Sequence, residues 1–161
     1  MKLAKLQLAV LFALLFVLIG YTLPIMWASY APQSHYIESD SFSAQNATTG
    51  DSQHLVCFDR DIKQAHPATV YTELYLVSGD DGTATEVNSR TFEEYFEKGE
   101  VAVESSFSLP DDLSVGQYRY LLVIQMQLSN GQVEREFSFT SDEFTIVDEQ
   151  TNQTIGDSFT C

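Results

Sequence analysis

Basic residues are scarce in this chain of 161 amino acids. Lysine and arginine together number 8, against 23 aspartates and glutamates, and the formal net charge is −15. Lysine alone occurs only four times. A surface with this charge repels phosphate groups, so the composition excludes nucleic-acid binding as the function.

Charge of either sign is absent from Leu6 to Ala28. This run of 23 residues exceeds the ~20 that an apolar helix needs to span a bilayer. Lys2 and Lys5 precede the run, and by the positive-inside rule they hold the amino terminus in the cytoplasm. We therefore predict that residues 1–31 form a signal anchor, a single transmembrane helix in the cell membrane, with the rest of the chain extracytoplasmic.

A cleaved signal peptide is the alternative interpretation of the same segment. Leu8 to Ile19 would supply its apolar core, and Ser29-Tyr30-Ala31 would supply small residues for the cleavage site. Pro32 would directly follow the cut bond, where its ring is poorly tolerated, and the apolar run is longer than such a core requires. These two points favour a retained anchor over a secreted adhesin or matrix component.

Cysteine is rare as well, and both cysteines, Cys57 and Cys161, lie in the exported part. In an oxidising compartment such a pair predicts an intrachain disulfide rather than a metal site. The alternative is an intermolecular bond through Cys161. His54-x-x-Cys57 suggests a redox or copper carrier, but the Cys-x-x-His cluster and following methionine of such carriers are missing. We predict no catalytic residue, no metal and no cofactor.

The clearest structural signal lies in residues 113–139, which have the pattern of two long antiparallel strands. Asn130-Gly131 is the pair preferred in a two-residue type I′ loop, because both positions need a positive φ. With that loop, Leu128 faces Val133, and the apolar side chains of both strands fall on one face. A slip of one residue would expose the whole apolar set, so the register is strongly specified.

Alternating apolar and polar residues predict about seven short strands in residues 54–148, arranged as an all-β antiparallel sandwich. Residues 32–53 are polar and lack sustained periodicity, which predicts a linker. Residues 149–161 are predicted to be a polar C-terminal tail. Asn46 and Asn152 begin Asn-x-Thr triplets in these two polar segments and are candidate N-glycosylation sites.

One short helix is also predicted, beginning at Thr91. Thr91 and Glu94 have the spacing of a capping box. Phe92, Tyr95 and Phe96 would then share one helical face. Two turns are too short to be stable alone, so this aromatic face must dock. It either closes the open end of the sandwich or forms a face for a protein partner.

Residues 113–120, LSVGQYRY, resemble the corner before the penultimate strand of immunoglobulin-like and fibronectin-III-like domains. There a leucine, a turn glycine and a tyrosine introduce the strand, and the tyrosine hydroxyl bonds back to the backbone. Gly116 matches the glycine and Tyr118 the tyrosine. The resemblance implies an Ig-like sandwich, although the paired inter-sheet cysteines are missing and the single tryptophan, Trp27, lies in the membrane run. Folds of this kind carry many different functions, so the resemblance does not predict one.

These features lead us to expect a non-catalytic, membrane-anchored binding or assembly module of a cell-envelope complex, with a protein partner. The acidic, lysine-poor composition resembles that of haloarchaeal proteins. The layout of a short span followed by a β-sandwich is similar to that of archaellum stator subunits. Both resemblances imply an archaeal envelope.

Salt dependence tests the halophilic interpretation. Beyond residue 31, six basic residues against 23 acidic ones leave a net charge of −17. This charge repels itself unless salt screens it. The thermal midpoint of the exported part should therefore rise between ~0.1 and ~2 M KCl. A midpoint that does not change over this range would contradict the interpretation.

Overall fold

The computed structural model describes residues 2–51, 53–78, 83–129 and 131–148. The predicted C-terminal tail, with Asn152 and Cys161, lies outside these ranges. Within them the chain forms one α-helix, one 3₁₀ turn and nine strands. Their bounds are α1 Lys2–Tyr30, the 3₁₀ turn Gln33–His35, β1 Ile37–Ala44, β2 Ala47–Thr48, β3 His54–Ile62, β4 His66–Ser78, β5 Thr83–Phe96, β6 Gly99–Phe107, β7 Gly116–Leu128, β8 Val133–Thr140 and β9 Phe144–Val147.

Helix α1 is the apolar segment that the sequence predicted. The part from Gln7 to Tyr30 has 24 residues and a mean hydropathy of 2.5, and is therefore long and apolar enough to cross a membrane. A signal sequence meets the same criteria, so the helix fits both interpretations of the amino terminus.

The strands form two sheets. The smaller has the order β1-β3-β6, and the larger the order β2-β9-β7-β4-β5, with β8 paired to β7. The sheets meet through aromatic side chains: the ring centres of Phe58 and Phe139 are 5.1 Å apart, and those of Phe107 and Tyr120 are 5.4 Å apart. The β-rich class is confirmed. The count of about seven holds for residues 54–148, which contain β3 to β9, but β1 and β2 precede them and bring the described total to nine. β2 and β9 pair in parallel, not antiparallel.

The register predicted for the central hairpin is confirmed. β7 and β8 pair Leu128 with Val133 and Leu122 with Phe139. Gly131 has a φ of +81°, but Ser129 also has a positive φ, of +51°, so the turn includes Ser129 and is longer than the predicted two-residue loop. Asn130 lies outside the described residues. The apolar alternation sets this register because each strand buries one face only.

Residues 32–53, expected to be a linker, instead carry the 3₁₀ turn, β1 and β2. Ile37 and Phe42 of β1 are buried in the core. An irregularity between Glu38 and Ser41 interrupts the alternation of β1, and a broken period of two is not visible to a search for regular alternation. β2 has only two residues and pairs with β9 near the end of the described chain, a contact that no local pattern reveals.

The prediction of a helix beginning at Thr91 is wrong. β5 continues as a strand to Phe96, and each residue from Thr91 to Phe96 pairs with β4. A capping box contributes about 1 kcal/mol, which does not outweigh the backbone pairing and burial that extend β5. β5 lies at the edge of its sheet.

The corner before β7 gives Tyr118 a backbone partner. Its side chain is 1% exposed, and its hydroxyl donates to the carbonyl oxygen of Ser114 at 2.7 Å. Gly116 is the first residue of β7. A larger residue would be crowded there, because its Cβ would lie 2.9 Å from a methyl carbon of Leu76. The hydroxyl therefore ties the loop to the start of β7.

We expect Tyr118→Phe to lower the free energy of unfolding by about 1–1.5 kcal/mol, because it removes one buried hydrogen bond and leaves the ring in place. Gln117→Ala, on the exposed face of the same strand, should have almost no effect. Chemical denaturation of the two variants compares them. Equal, negligible losses would show that the hydroxyl contributes nothing to stability.

Candidate functional site at the junction of helix and β-domain

The end of helix α1 is part of the core. Ala28 and Ala31 are buried among the core residues, and Ile25 packs against them. Tyr21, Ile25 and Ala28 are spaced i, i+4 and i+7, which places them on one face of the helix. This face contacts β8, so the helix joins the domain through packed side chains.

Arg135 of β8 caps the helix. Its Nη1 donates to the carbonyl oxygens of Ala28 at 3.1 Å and Ala31 at 2.8 Å. The last carbonyls of a helix have no intrahelical donor, and the donor that would serve Ala28 is the backbone nitrogen of Pro32, which carries no hydrogen. A cation at this end also complements the helix dipole. Arg135 therefore supplies the hydrogen-bond donor that the backbone of Pro32 lacks.

The pairing of β7 with β8 places Arg135 on the core face opposite Met126. Its guanidinium carbon lies 5.3 Å from the ring centre of Phe137 and 5.9 Å from that of Tyr36. Both rings present their electron-rich faces to a cation at this range. Burial raises the pKa of Tyr36, and the charge of Arg135 opposes that shift.

Polar contacts on both sides of the cap fix the helix further. Trp27 Nε1 donates to His35 Nε2 at 3.2 Å, and Gln64 Nε2 lies 3.0 Å from the same atom. Gln132, in the turn between β7 and β8, donates to the Tyr21 hydroxyl at 2.5 Å. The contacts extend from Tyr21 to the end of the helix, so the junction is a docked interface.

A second candidate site is a groove between the facing edges of the two sheets, β5 and β6. Its inner part is a cavity of about 120 Å³, lined mainly by apolar side chains from both sheets. Arg60 and Glu94 form an ion pair of 2.6 Å among the lining residues, and the Arg60 guanidinium carbon lies 4.0 Å from the centre of the Phe96 ring. An open part of about 520 Å³ adjoins it, lined by Arg90, Thr91, Phe92, Ser105, Ser106 and Phe107.

The three aromatic residues predicted as a partner face do not share one surface. Phe92 and Phe96 both line the inner cavity, Phe96 buried and Phe92 40% exposed. Tyr95 lies between them on an extended strand and therefore faces the other side of the sheet. Only Phe92 and Phe96 belong to the groove.

The other predicted site residues are separated in the structure. His54 and Cys57 are three positions apart on β3 and thus face opposite sides of the sheet, so they do not converge on a metal. The described residues contain no cluster of metal-ligating side chains.

Cys57 is buried, and the disulfide stays a prediction because Cys161 lies outside the described part of the chain. Asn46 is exposed, and its Oδ1 accepts a hydrogen bond from the Thr145 backbone nitrogen at 2.8 Å.

His54, which the sequence indicated only as part of a possible copper motif, is a buried structural residue. Its Nδ1 lies 3.0 Å from the Tyr120 hydroxyl, and its Nε2 contacts the Gln45 carbonyl oxygen. A carbonyl only accepts, so Nε2 carries a proton, and in the neutral ring Nδ1 then accepts from the Tyr120 hydroxyl. Burial lowers the pKa of His54, although the Gln45 carbonyl and the charge of Asp51 oppose the shift.

Comparison with known proteins gives little further information. No family model matches the chain, and no curated protein matches it. Among solved structures, the chain is similar to the crystal structure of a β-glucuronidase from Parabacteroides merdae, with 13% sequence identity and a TM-score of 0.45. The match covers 68% of this chain and 13% of the other, and a likeness at this level carries no argument about function.

Arg135→Met tests the helix cap, because methionine keeps much of the side-chain volume but has no donor. We expect the free energy of unfolding to fall by about 2–3 kcal/mol, as two charge-assisted hydrogen bonds are lost. Arg119→Met removes the same charge from the opposite face of β7 and serves as the control. Denaturation of both full-length variants in detergent measures the difference, and equal losses would contradict the role of the cap.

The burial of His54 predicts a pH dependence. Its folded pKa is lowered from an unfolded value of about 6.5, so below that pH the unfolded chain binds more protons than the folded chain. The free energy of unfolding should therefore fall as the pH drops from ~7 to ~5.5, by at most about 1.4 kcal/mol per pH unit and site. His66, whose pKa is also lowered by burial, adds to the loss in the same direction.

Urea unfolding of wild type and His54→Gln at both pH values measures this effect. The variant should be less stable overall, but it should lose less stability on acidification. A wild-type free energy that is independent of pH across this window would contradict the prediction.

Proposed function

We propose that the chain is a non-catalytic, membrane-anchored module that displays its β-domain outside the cell, for binding or assembly within an envelope complex. The contact between the end of helix α1 and the β-domain is the observation that supports this proposal. Ala28 and Ala31 belong to the core, and Arg135 bonds to both of their carbonyl oxygens. Cleavage after Ala31 would remove these contacts and leave Arg135 half-buried without its acceptors, which costs several kcal/mol for a charged donor.

The orientation follows from charge. Lys2 and Lys5 precede the helix, whereas the domain after it has 23 acidic residues. Lysines next to a span favour the cytoplasmic side. The acidic, lysine-poor surface supports a halophilic, archaeal envelope, and the Tyr118 hydroxyl bond to Ser114 supports an immunoglobulin-like domain.

The groove between β5 and β6 is the surface that we assign to a protein partner. Both strands are sheet edges, and an extended segment of another protein can add to such an edge through backbone hydrogen bonds. Phe92, 40% exposed at the groove, offers an apolar contact for alternate side chains of that segment. We therefore expect the partner to be an extended peptide with apolar residues at every second position.

Fractionation tests the anchor. The mature protein should keep its amino-terminal segment, verified by intact mass, and should stay with membranes through high-salt and alkaline washing. Release of a species that begins at Pro32 would establish the secreted adhesin or matrix component instead.

Site-specific photo-crosslinking in native membranes tests the partner surface. A crosslinker in place of Phe92 should yield a discrete adduct. The same group in place of Ser138, exposed on β8 away from the groove, should not. Equal labelling from both positions, or no adduct from either, would refute the groove as the binding surface.

A further inference from the structure

The last turns of helix α1 have two different apolar faces. Tyr21, Ile25 and Ala28 face the domain. The opposite face carries Leu23, Met26, Trp27 and Tyr30, which are exposed. Soluble proteins rarely leave such a contiguous apolar patch in water, so this face requires an occupant.

The exposed face continues the surface of the proposed membrane span. One stripe of exposed side chains follows the helical period along α1, and its members are Phe12, Phe16, Ile19, Leu23, Trp27 and Tyr30. No acidic or basic residue lies between Lys5 and Glu38 to interrupt the stripe. The surface that would face lipid at Phe12 and Phe16 is therefore exposed and apolar up to Tyr30.

On the side of the helix that faces the domain, the hydrocarbon layer must end at a different height. Gln132 donates to Tyr21, and the exposed side chains of Glu134 and Glu136 follow on β8. Charged side chains are costly within hydrocarbon, so on this side the hydrocarbon ends near Tyr21. From Leu6, the first residue after Lys5, to Gly20 the helix spans about 22 Å, which is less than the ~30 Å thickness of the hydrocarbon layer, whereas on the opposite side the exposed apolar surface continues to Tyr30.

The two sides of the helix therefore meet the membrane at different heights. From Tyr21 to Tyr30 the helix rises about 14 Å, and over this stretch one side is covered by the domain, while the other side is exposed and apolar. A helix tilted from the bilayer normal satisfies both sides at once, and tilt is the usual response of a long apolar segment. Tryptophan and tyrosine at the ends of a span are typical of the headgroup region.

We propose that the exposed face of Leu23, Met26, Trp27 and Tyr30 lies in the interfacial layer of the lipid bilayer, so that the β-domain rests against the membrane with the turn between β7 and β8 at its surface. This inference rests on the proposed membrane anchor. Trp27 fits the placement because its Nε1 is bonded to His35 while its ring is 59% exposed. The tryptophan is thus oriented with its polar atom toward the domain and its apolar ring toward lipid.

Fluorescence of Trp27 tests the inference directly, since it is the single tryptophan of the chain. The full-length protein is reconstituted into vesicles of anionic and zwitterionic phospholipids at low protein-to-lipid ratio. The emission should be blue-shifted and poorly quenched by aqueous acrylamide. Lipids brominated near the headgroup end of the acyl chains should quench it more strongly than lipids brominated near the methyl end.

A matched control moves the probe to the far end of the domain. Val115, 57% exposed, lies just before β7, and that 13-residue strand separates it from the turn by about 40 Å. The double variant Trp27→Phe, Val115→Trp should give red-shifted emission that acrylamide quenches and brominated lipid does not. Its intact fold also shows that loss of Trp27 does not by itself unfold the domain.

Three results would overturn the inference. Trp27 quenched by acrylamide and not by lipid would place the face in water. If Trp27 were shielded from both quenchers, and this protection weakened on dilution into excess lipid, the face would be in contact with a second copy of the chain. Stronger quenching from the methyl end would place Trp27 in the hydrocarbon. Flotation separates the two proposals: protein that floats with Trp27 in water refutes this inference alone, whereas protein that does not float refutes the anchor itself.

Discussion

The bond from Arg135 to the end of helix α1 is the contact on which the arrangement of the whole chain depends. Pro32 must end the helix, because it has no backbone hydrogen to donate and its ring opposes continuation. The proline thereby leaves a buried carbonyl at Ala28 without its normal donor. Arg135 supplies that donor from β8, where it also contacts two aromatic rings. A helix that would otherwise be joined by a flexible chain is held at a defined position on the domain.

The parts of the fold that follow from local pattern were predictable. The apolar run predicted α1, and the alternation around residues 113–139 predicted the register of β7 and β8. The position of Arg135 opposite Met126 followed from that register. In each case one residue type repeats at one period over many positions, so a single interpretation satisfies all of them.

The parts that depend on distant contacts were not predictable. β5 is a strand at Thr91 because β4 pairs with it, and this pairing outweighs a local capping signal. β1 was concealed by its irregularity, and β2 exists only through its parallel partner β9. The helix cap was missed for the same reason: a lone arginine among core positions indicates that an acceptor is needed, but the sequence does not show which carbonyls lie nearby. His54 likewise has partners, Gln45 and Tyr120, that only the fold brings together.

The pairing of β2 with β9 has a consequence for the order in which the domain forms during the export that we propose. Ala47 is the partner of Ile146, so one of the first exported segments completes its hydrogen bonds with one of the last. The end of helix α1 also depends on a late segment, because Arg135, which caps it, belongs to β8. Contacts of such sequence separation slow folding, because the chain must close a long loop before any bond forms. In the proposed orientation, the segment next to the helix is therefore exported early, yet it reaches its final structure only after nearly the whole domain has followed it.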